Sequence, residues 1–194
     1  MLTLAPTLIG SRLGASSRAR TALAVTGFAL LTALAAQAKL YLPGNPVPVT
    51  GQTLAVLLAG AALGSKAGPA SQVLYVMMGA VGLPVFADGA SGLEVLTGAT
   101  AGYLIGFVVA AAVVGRLAEA TADRKVATAI PAFVTGSAII YALGVAGLMI
   151  TLGWTLSESL AKGVAPFLVG DGIKAVGAGL LLPAAWKLVG RQPS

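Results

Sequence analysis

The chain has 194 residues, 57% of them hydrophobic and 9% charged, with 12 Lys and Arg against 6 Asp and Glu, no cysteine and no histidine. A soluble domain carries about 25% charged residues, so too few charges remain here to solvate a globular surface, and a lipid bilayer is the expected solvent. The missing residue types exclude disulfides, thiolate nucleophiles, Cys/His metal sites and histidine acid–base chemistry, and scattered basic residues without an aromatic-rich patch argue against a nucleic-acid partner.

Polar breaks divide the chain into six apolar stretches, at residues 21–38, 52–64, 69–85, 97–114, 126–153 and 166–188. A membrane-crossing helix needs about 20 apolar residues. Each stretch is therefore expected to form one transmembrane helix, the short second and third by tilting or by spanning in part. No linker, composition shift or internal repeat interrupts them. Residues 1–194 are expected to be a single all-α membrane domain, with a cytoplasmic N-terminal segment at 1–20 and a cytoplasmic tail at 189–194.

Before the first stretch stand Arg12, Arg18 and Arg20, and it ends in Ala36-Gln37-Ala38, a pattern shared with signal peptides. The run exceeds the usual signal core of about 7–15 residues, and its removal would leave five spans and spoil the alternation of charge. It is read as the first span. Within it Ala29 and Ala33, four apart, form a small-residue surface that admits another helix. The following KLYLPGNPVPV holds three prolines, which disfavour helix and favour an ordered outer loop. Asn45, Thr50 and Gln52 add amide and hydroxyl groups there.

Between the second and third stretches GSKAGP reads as a tight turn. With Gly60 ahead of it, this region glances at a phosphate-binding loop. The glycines are one residue too close, Ser65 separates Gly64 from Lys66, and no strand precedes them, so no nucleotide site is expected. In the fourth stretch Gly98, Gly102 and Gly106 recur at i+4, which reads as close helix packing. Beside that face lies Tyr103, either an interfacial anchor or a surface for stacking a ligand. The segment GLPVFADGASGLEVLTG, residues 82–98, is expected to join the outer loop as a lid over a cavity.

The last stretch, PFLVGDGIKAVGAGLLLP, carries Asp171 and Lys174 three residues apart, on one face of a helix. A charge within hydrocarbon costs about 2.5–3.5 kcal/mol on insertion scales, and such residues mark functional sites by default. Pairing lowers the cost without making the pair a stability device. Acceptors on Asp171 and donors on Lys174 suit an uncharged ligand with N–H beside C=O, such as a cyclic urea. The alternative is an ion pair that only locks the bundle. Of the remaining cations, Arg12, Arg18, Arg20, Lys66, Arg116, Arg124, Lys125, Lys187 and Arg191 fall on one side of a six-span layout; Lys39 and Lys162 fall on the other, beside Asp88, Glu94 and Glu158. By the positive-inside rule both termini are expected in the cytoplasm.

Three segments, PVPVTGQTLAVLLAGAALG (46–64), GLPVFADGASGLEVLTGATAGYLIGF (82–107) and PFLVGDGIK (166–174), resemble in order the biotin-specific S component of energy-coupling-factor (ECF) transporters. The resemblance implies six membrane helices in a prokaryotic cell membrane, no enzymatic activity, no cofactor, and one biotin held near the outer face. It also implies a membrane coupling subunit and ATPase subunits as partners, with the small-residue face of the first helix, Ala29 and Ala33, as the docking surface. By the same resemblance Asp171 and Lys174 hold the biotin head group, with Tyr103, Gln52 and Thr50 at matching motif positions. Phe86 and Asn45 join as candidates beside the fused rings and in the outer loop. The family reads Gly-Pro-Thr-Gly-Gly-Tyr where this chain has Gly98-Ala99-Thr100-Ala101-Gly102-Tyr103, a departure expected to alter the helix start or cavity shape. The expected function is biotin capture from outside and uptake driven by ATPase partners. The rivals are a stand-alone secondary transporter, with Asp171–Lys174 as a proton relay, and a non-transporting scaffold.

Overall fold

The computed structural model describes residues 17–189; segments 1–16 and 190–194, with Arg12, Arg191 and most of the two expected tails, lie outside the described residues. The elements run α1 (Ser17–Gln37), β1 (Lys39–Leu40), β2 (Val49–Thr50), α2 (Gln52–Ala80), α3 (Leu93–Thr97), α4 (Ala101–Glu119), α5 (Val126–Leu152), α6 (Leu156–Gly163) and α7 (Leu168–Val189). Among the described residues five helical segments are long and apolar enough to cross a membrane: α1, α2, α4, α5 and the run Leu156–Ala184.

Of these, α2 folds back on itself. Gly64 adopts φ 85 and ψ −177, a conformation open only to glycine, and residues 52–63 and 65–80 form two antiparallel arms. Gln52 Nε2 donates to Tyr75 Oη at 2.7 Å, whereas in a straight helix these residues would stand about 35 Å apart. A Cβ on Gly68 would lie 2.9 Å from the Gly60 Cα. With the arms counted separately the bundle has the six helices the sequence predicts. The turn is a single residue rather than GSKAGP, because Gly64 alone supplies the reversal. The phosphate-loop-like stretch has its own occupant: Ser65 N and Oγ both donate to the Glu119 carboxylate, at 2.8 and 2.9 Å, which caps the second arm.

Glycines set the helix spacing elsewhere. A Cβ on Gly102 would meet the Leu143 carbonyl at 2.2 Å, and one on Gly60 the Ala111 carbonyl at 2.6 Å. Gly102 and Gly106 thus pack α4 against α5 as expected, while Gly98 precedes α4 and takes no part. Between α1 and the second arm of α2, Thr32 Oγ1 donates to Gln72 Oε1 at 3.3 Å and Gln72 Nε2 to Ser71 Oγ at 3.0 Å, all three residues fully buried.

That packing corrects one expectation. Ala29 and Ala33 are 0% and 9% exposed and belong to the core, while Leu23, Leu30 and Leu34 point outward. The small-residue stripe of α1 is used inside the bundle, against α2, and is not a free docking face. A further helix, α6, lies between the fifth and sixth apolar stretches and belongs to neither. Thr155 and Glu158 form a reciprocal capping box, with the Thr155 side chain accepting from Glu158 N and Glu158 accepting from Thr155 N.

Arg18, Arg20, Lys66, Arg116, Arg124, Lys125 and Lys187 gather at the end of the bundle that holds the Gly64 turn. Lys39 and Lys162, with Asp88, Glu94 and Glu158, stand at the opposite end. The short antiparallel ladder β1–β2, pairing Lys39 with Thr50 and Leu40 with Val49, orders the proline-rich loop at that second end.

Candidate functional site

At the end away from Gly64 the helices diverge around a cavity of about 280 Å³, near the lower bound of small-molecule sites, about 300 Å³. A third of its lining residues are aromatic. Tyr75 and Phe86 meet edge to face at 5.5 Å, and Tyr103 and Tyr141 each lie 6.3 Å from Phe167. Glycine makes room for two of these rings. A Cβ on Gly79 would fall 2.1 Å from Phe86 Cζ, and one on Gly144 would fall 2.3 Å from Tyr103 Cε1. The Phe86 carbonyl accepts from Gln37 Nε2 at 2.9 Å, and Tyr103 Oη donates to the Gly163 carbonyl at 2.7 Å. The lining is thus pinned by a side-chain amide from α1 and by a backbone carbonyl at the end of α6.

Polar groups enter the wall at the start of α2, where Thr50, Gln52 and Thr53 line the cavity. Behind them stand Asp171, 5% exposed, and Lys174, 22% exposed, in a 2.6 Å ion pair. Asp171 lies in the first turn of α7, where the helix dipole favours an anion. Its Oδ1 accepts from Lys174 Nζ and from Thr53 Oγ1 at 2.8 Å, and its Oδ2 accepts from Tyr141 Oη at 2.6 Å. Lys174 Nζ also donates to the Thr50 carbonyl at 2.7 Å and to Thr53 Oγ1 at 3.0 Å. An ammonium has three N–H groups and a carboxylate about four acceptor positions. Lys174 is therefore saturated, and Asp171 has one position left. The Thr53 hydroxyl does two things at once: it donates to the acid and accepts from the amine.

The sequence-predicted residues separate into three groups. Thr50, Gln52, Phe86 and Tyr103 line the cavity. Asp171 and Lys174 come together as their spacing requires, one layer behind the wall and joined to it through Thr53 and Tyr141. Asn45 does not line the cavity, which corrects its place among the candidates. Its Nδ2 donates to the Lys162 carbonyl at 2.7 Å and its Oδ1 accepts from Val47 N at 3.0 Å, so one end of the amide staples the loop to α6 and the other holds the loop's own backbone.

Sequence reasoning missed Thr53, Tyr141, Phe167 and Tyr41, all of which line the cavity. Tyr141 left a usable signal. A tyrosine in the apolar α5 needs a partner for its hydroxyl, and Asp171 is the one carboxylate that falls inside an apolar stretch. At the mouth, Tyr41 Oη donates to the Asp88 carboxylate, which is also paired with Lys39.

A sequence profile described as the BioY family matches residues 3–191. The chain is 41% identical over 140 residues to the biotin transporter BioY of Thermotoga maritima, covering 72% of this chain and 81% of that protein. It is 40% identical over 148 residues to the biotin transporter BioY of Rhodobacter capsulatus, covering 71% and 78%. Its fold is similar to the crystal structure of the S-component for biotin from an ECF-type ABC transporter, with a TM-score of 0.79 over 90% of this chain and 95% of that one, at 21% identity.

Proposed function

Since the chain belongs to the BioY family, we propose that it captures biotin from the outer face of a prokaryotic cell membrane and serves as the substrate-specific subunit of an ATP-driven ECF transporter. The observation that carries this reading is the double role of Thr53, whose single hydroxyl donates to Asp171 and accepts from Lys174. A ureido group offers the same pair of functions side by side, N–H and C=O. Biotin binds by exchange: its ureido N–H takes the place of Thr53 on Asp171, and its ureido oxygen takes the place of Thr53 on Lys174. The pair loses no hydrogen bond, and the ligand needs no charge at that end.

The rest of the cavity suits the rest of the vitamin. Phe86, Tyr103 and Phe107 offer apolar surface to the fused rings, and Tyr141 holds Asp171 in register. Capture faces outward because the end rich in Lys and Arg is the cytoplasmic one, which puts both termini in the cytoplasm. A membrane coupling subunit and ATPase subunits then supply the energy for release.

Isothermal titration of the purified chain with biotin tests capture. Tight one-to-one binding is expected in the wild type, and loss of at least about tenfold in affinity in Asp171→Asn and in Lys174→Met, each of which removes a charge-assisted bond. Wild-type affinity in both variants removes the pair from the site. Reconstitution in liposomes tests the coupling. Uptake is expected only with the coupling and ATPase subunits and ATP, and uptake by the chain alone, abolished by an uncoupler, identifies a secondary transporter instead.

A further inference from the structure

We propose that Lys39 and Tyr41, at the mouth of the cavity, form the receiving site for the ligand's carboxylate, and that Asp88 holds this site until the ligand takes it. The inference rests on the reading of the chain as a biotin-binding protein and adds to it the recognition of the acidic end.

Among the described residues no ionised side chain lines the cavity; its polar lining consists of hydroxyls, phenols and the Gln52 amide. A carboxylate buried there without a cation would carry a heavy desolvation cost. It must therefore reach one of the cations at this end. Lys174 has all three N–H groups committed, to Thr50, Thr53 and Asp171. Lys162 lies over the Trp154 ring at 4.6 Å, on α6 and away from the cavity wall. Lys39 remains, and it is joined to the cavity through a shared partner: Tyr41 lines the cavity and donates to the same Asp88 that Lys39 pairs with.

Asp88 is placed as a substitute for a ligand carboxylate. It follows Ala87, a lining residue, and presents its carboxylate to an ammonium and a phenol at the rim. It does so from a left-handed backbone conformation, φ 64, which is uncommon outside glycine. Its side chain is 49% exposed and that of Lys39 is 28% exposed, so the pair contributes little and exchanges readily. The two ends of the cavity are also tied together. Lys39 is the cross-strand partner of Thr50, whose carbonyl holds Lys174.

The test is titration of the full-length purified chain with biotin and with biotin amide, which keeps the ureido rings and lacks the charge. Wild-type protein is expected to favour biotin about three- to tenfold, the range of one charge-assisted bond at a partly exposed site. Lys39→Met should bring biotin down to the affinity of the amide and leave the amide unchanged. Asp88→Asn, a replacement that tolerates the left-handed backbone, should raise biotin affinity severalfold and leave the amide unchanged. The inference is overturned if the wild type binds both ligands equally, if neither variant changes the ratio, or if each variant weakens both ligands in parallel. Failure of the wild type to bind either ligand overturns the biotin reading itself, a result distinct from these.

Discussion

The Asp171–Lys174 pair and the Lys39–Asp88 pair place the same two groups, a carboxylate and an ammonium, beside one cavity. The first joins consecutive turns of one helix, with Asp171 only 5% exposed and hydroxyls from α2 and α5 on its remaining lone pairs. The second joins β1 to the loop between α2 and α3 at the rim, with Asp88 49% exposed. Identical chemistry therefore has different weight. Removing one member of a buried pair leaves a charge with nowhere to go, at about 3–5 kcal/mol, whereas exposed pairs contribute about 0–1 kcal/mol. On the proposed reading the buried pair serves both fold and binding, and the rim pair serves binding alone.

The largest effect should follow from Asp171→Ala, which strands Lys174. Thermal unfolding in detergent should show about 3–5 kcal/mol of destabilisation, against no more than about 1 kcal/mol for Asp88→Ala. Equal losses would erase the distinction. Thr53→Val comes next, at about 1–3 kcal/mol, since it leaves both Asp171 and Lys174 short of one partner. Biotin should restore more stability to this variant than to wild type, because the ureido group supplies both missing bonds. A smaller thermal shift on adding biotin would show that Thr53 contacts the ligand instead of standing in for it.

Gly102→Ala asks whether the buried network depends on helix spacing. The new methyl would lie 2.2 Å from the Leu143 carbonyl, so α4 and α5 must part, at about 1–3 kcal/mol. Because α5 carries Tyr141, biotin affinity should fall as well. Gly60→Ala, at the far end, should destabilise comparably and leave affinity within about twofold of wild type. The smallest change is expected from Tyr41→Phe, which removes one exposed hydrogen bond to Asp88, worth about 0.5–1 kcal/mol. Stability should fall by no more than that, while titration with biotin should show a two- to fivefold loss, about the same energy.

The span layout was legible because charge is rare in this chain, so each polar break marks a helix end. The i, i+3 spacing of Asp171 and Lys174 likewise determines that they share a face, whatever surrounds them. The partners of that pair were far less legible, and only Tyr141, a tyrosine within an apolar helix, carried any signal. Thr53 lies 118 residues from Asp171 and Tyr141 lies 30 residues away, and no local pattern links them. Ala29 and Ala33 failed for a related reason. A helix apolar on every side, such as α1, carries no periodic signal for which face turns inward, and only packing against Gln72 and its neighbours decides it. The α6 helix is a different case: Thr155 and Glu158 spell a capping box in the sequence, but eight residues between two long apolar runs are too few to carry a span-length signal.

The Gly64 reversal also bears on the surrounding lipid. At 1.5 Å per residue, the second arm, 65–80, reaches only about 24 Å, less than the roughly 30 Å of hydrocarbon it faces, while α5 reaches about 40 Å. Val73 and Met77 on the second arm point outward, so acyl chains on that flank must shorten or disorder to meet it. The neighbouring flank asks for a thicker leaflet or a tilted helix, at a fraction of a kcal/mol per ångström of mismatch. One small protein thus sits in its annulus as a wedge, pinching the bilayer on one side and stretching it on the other.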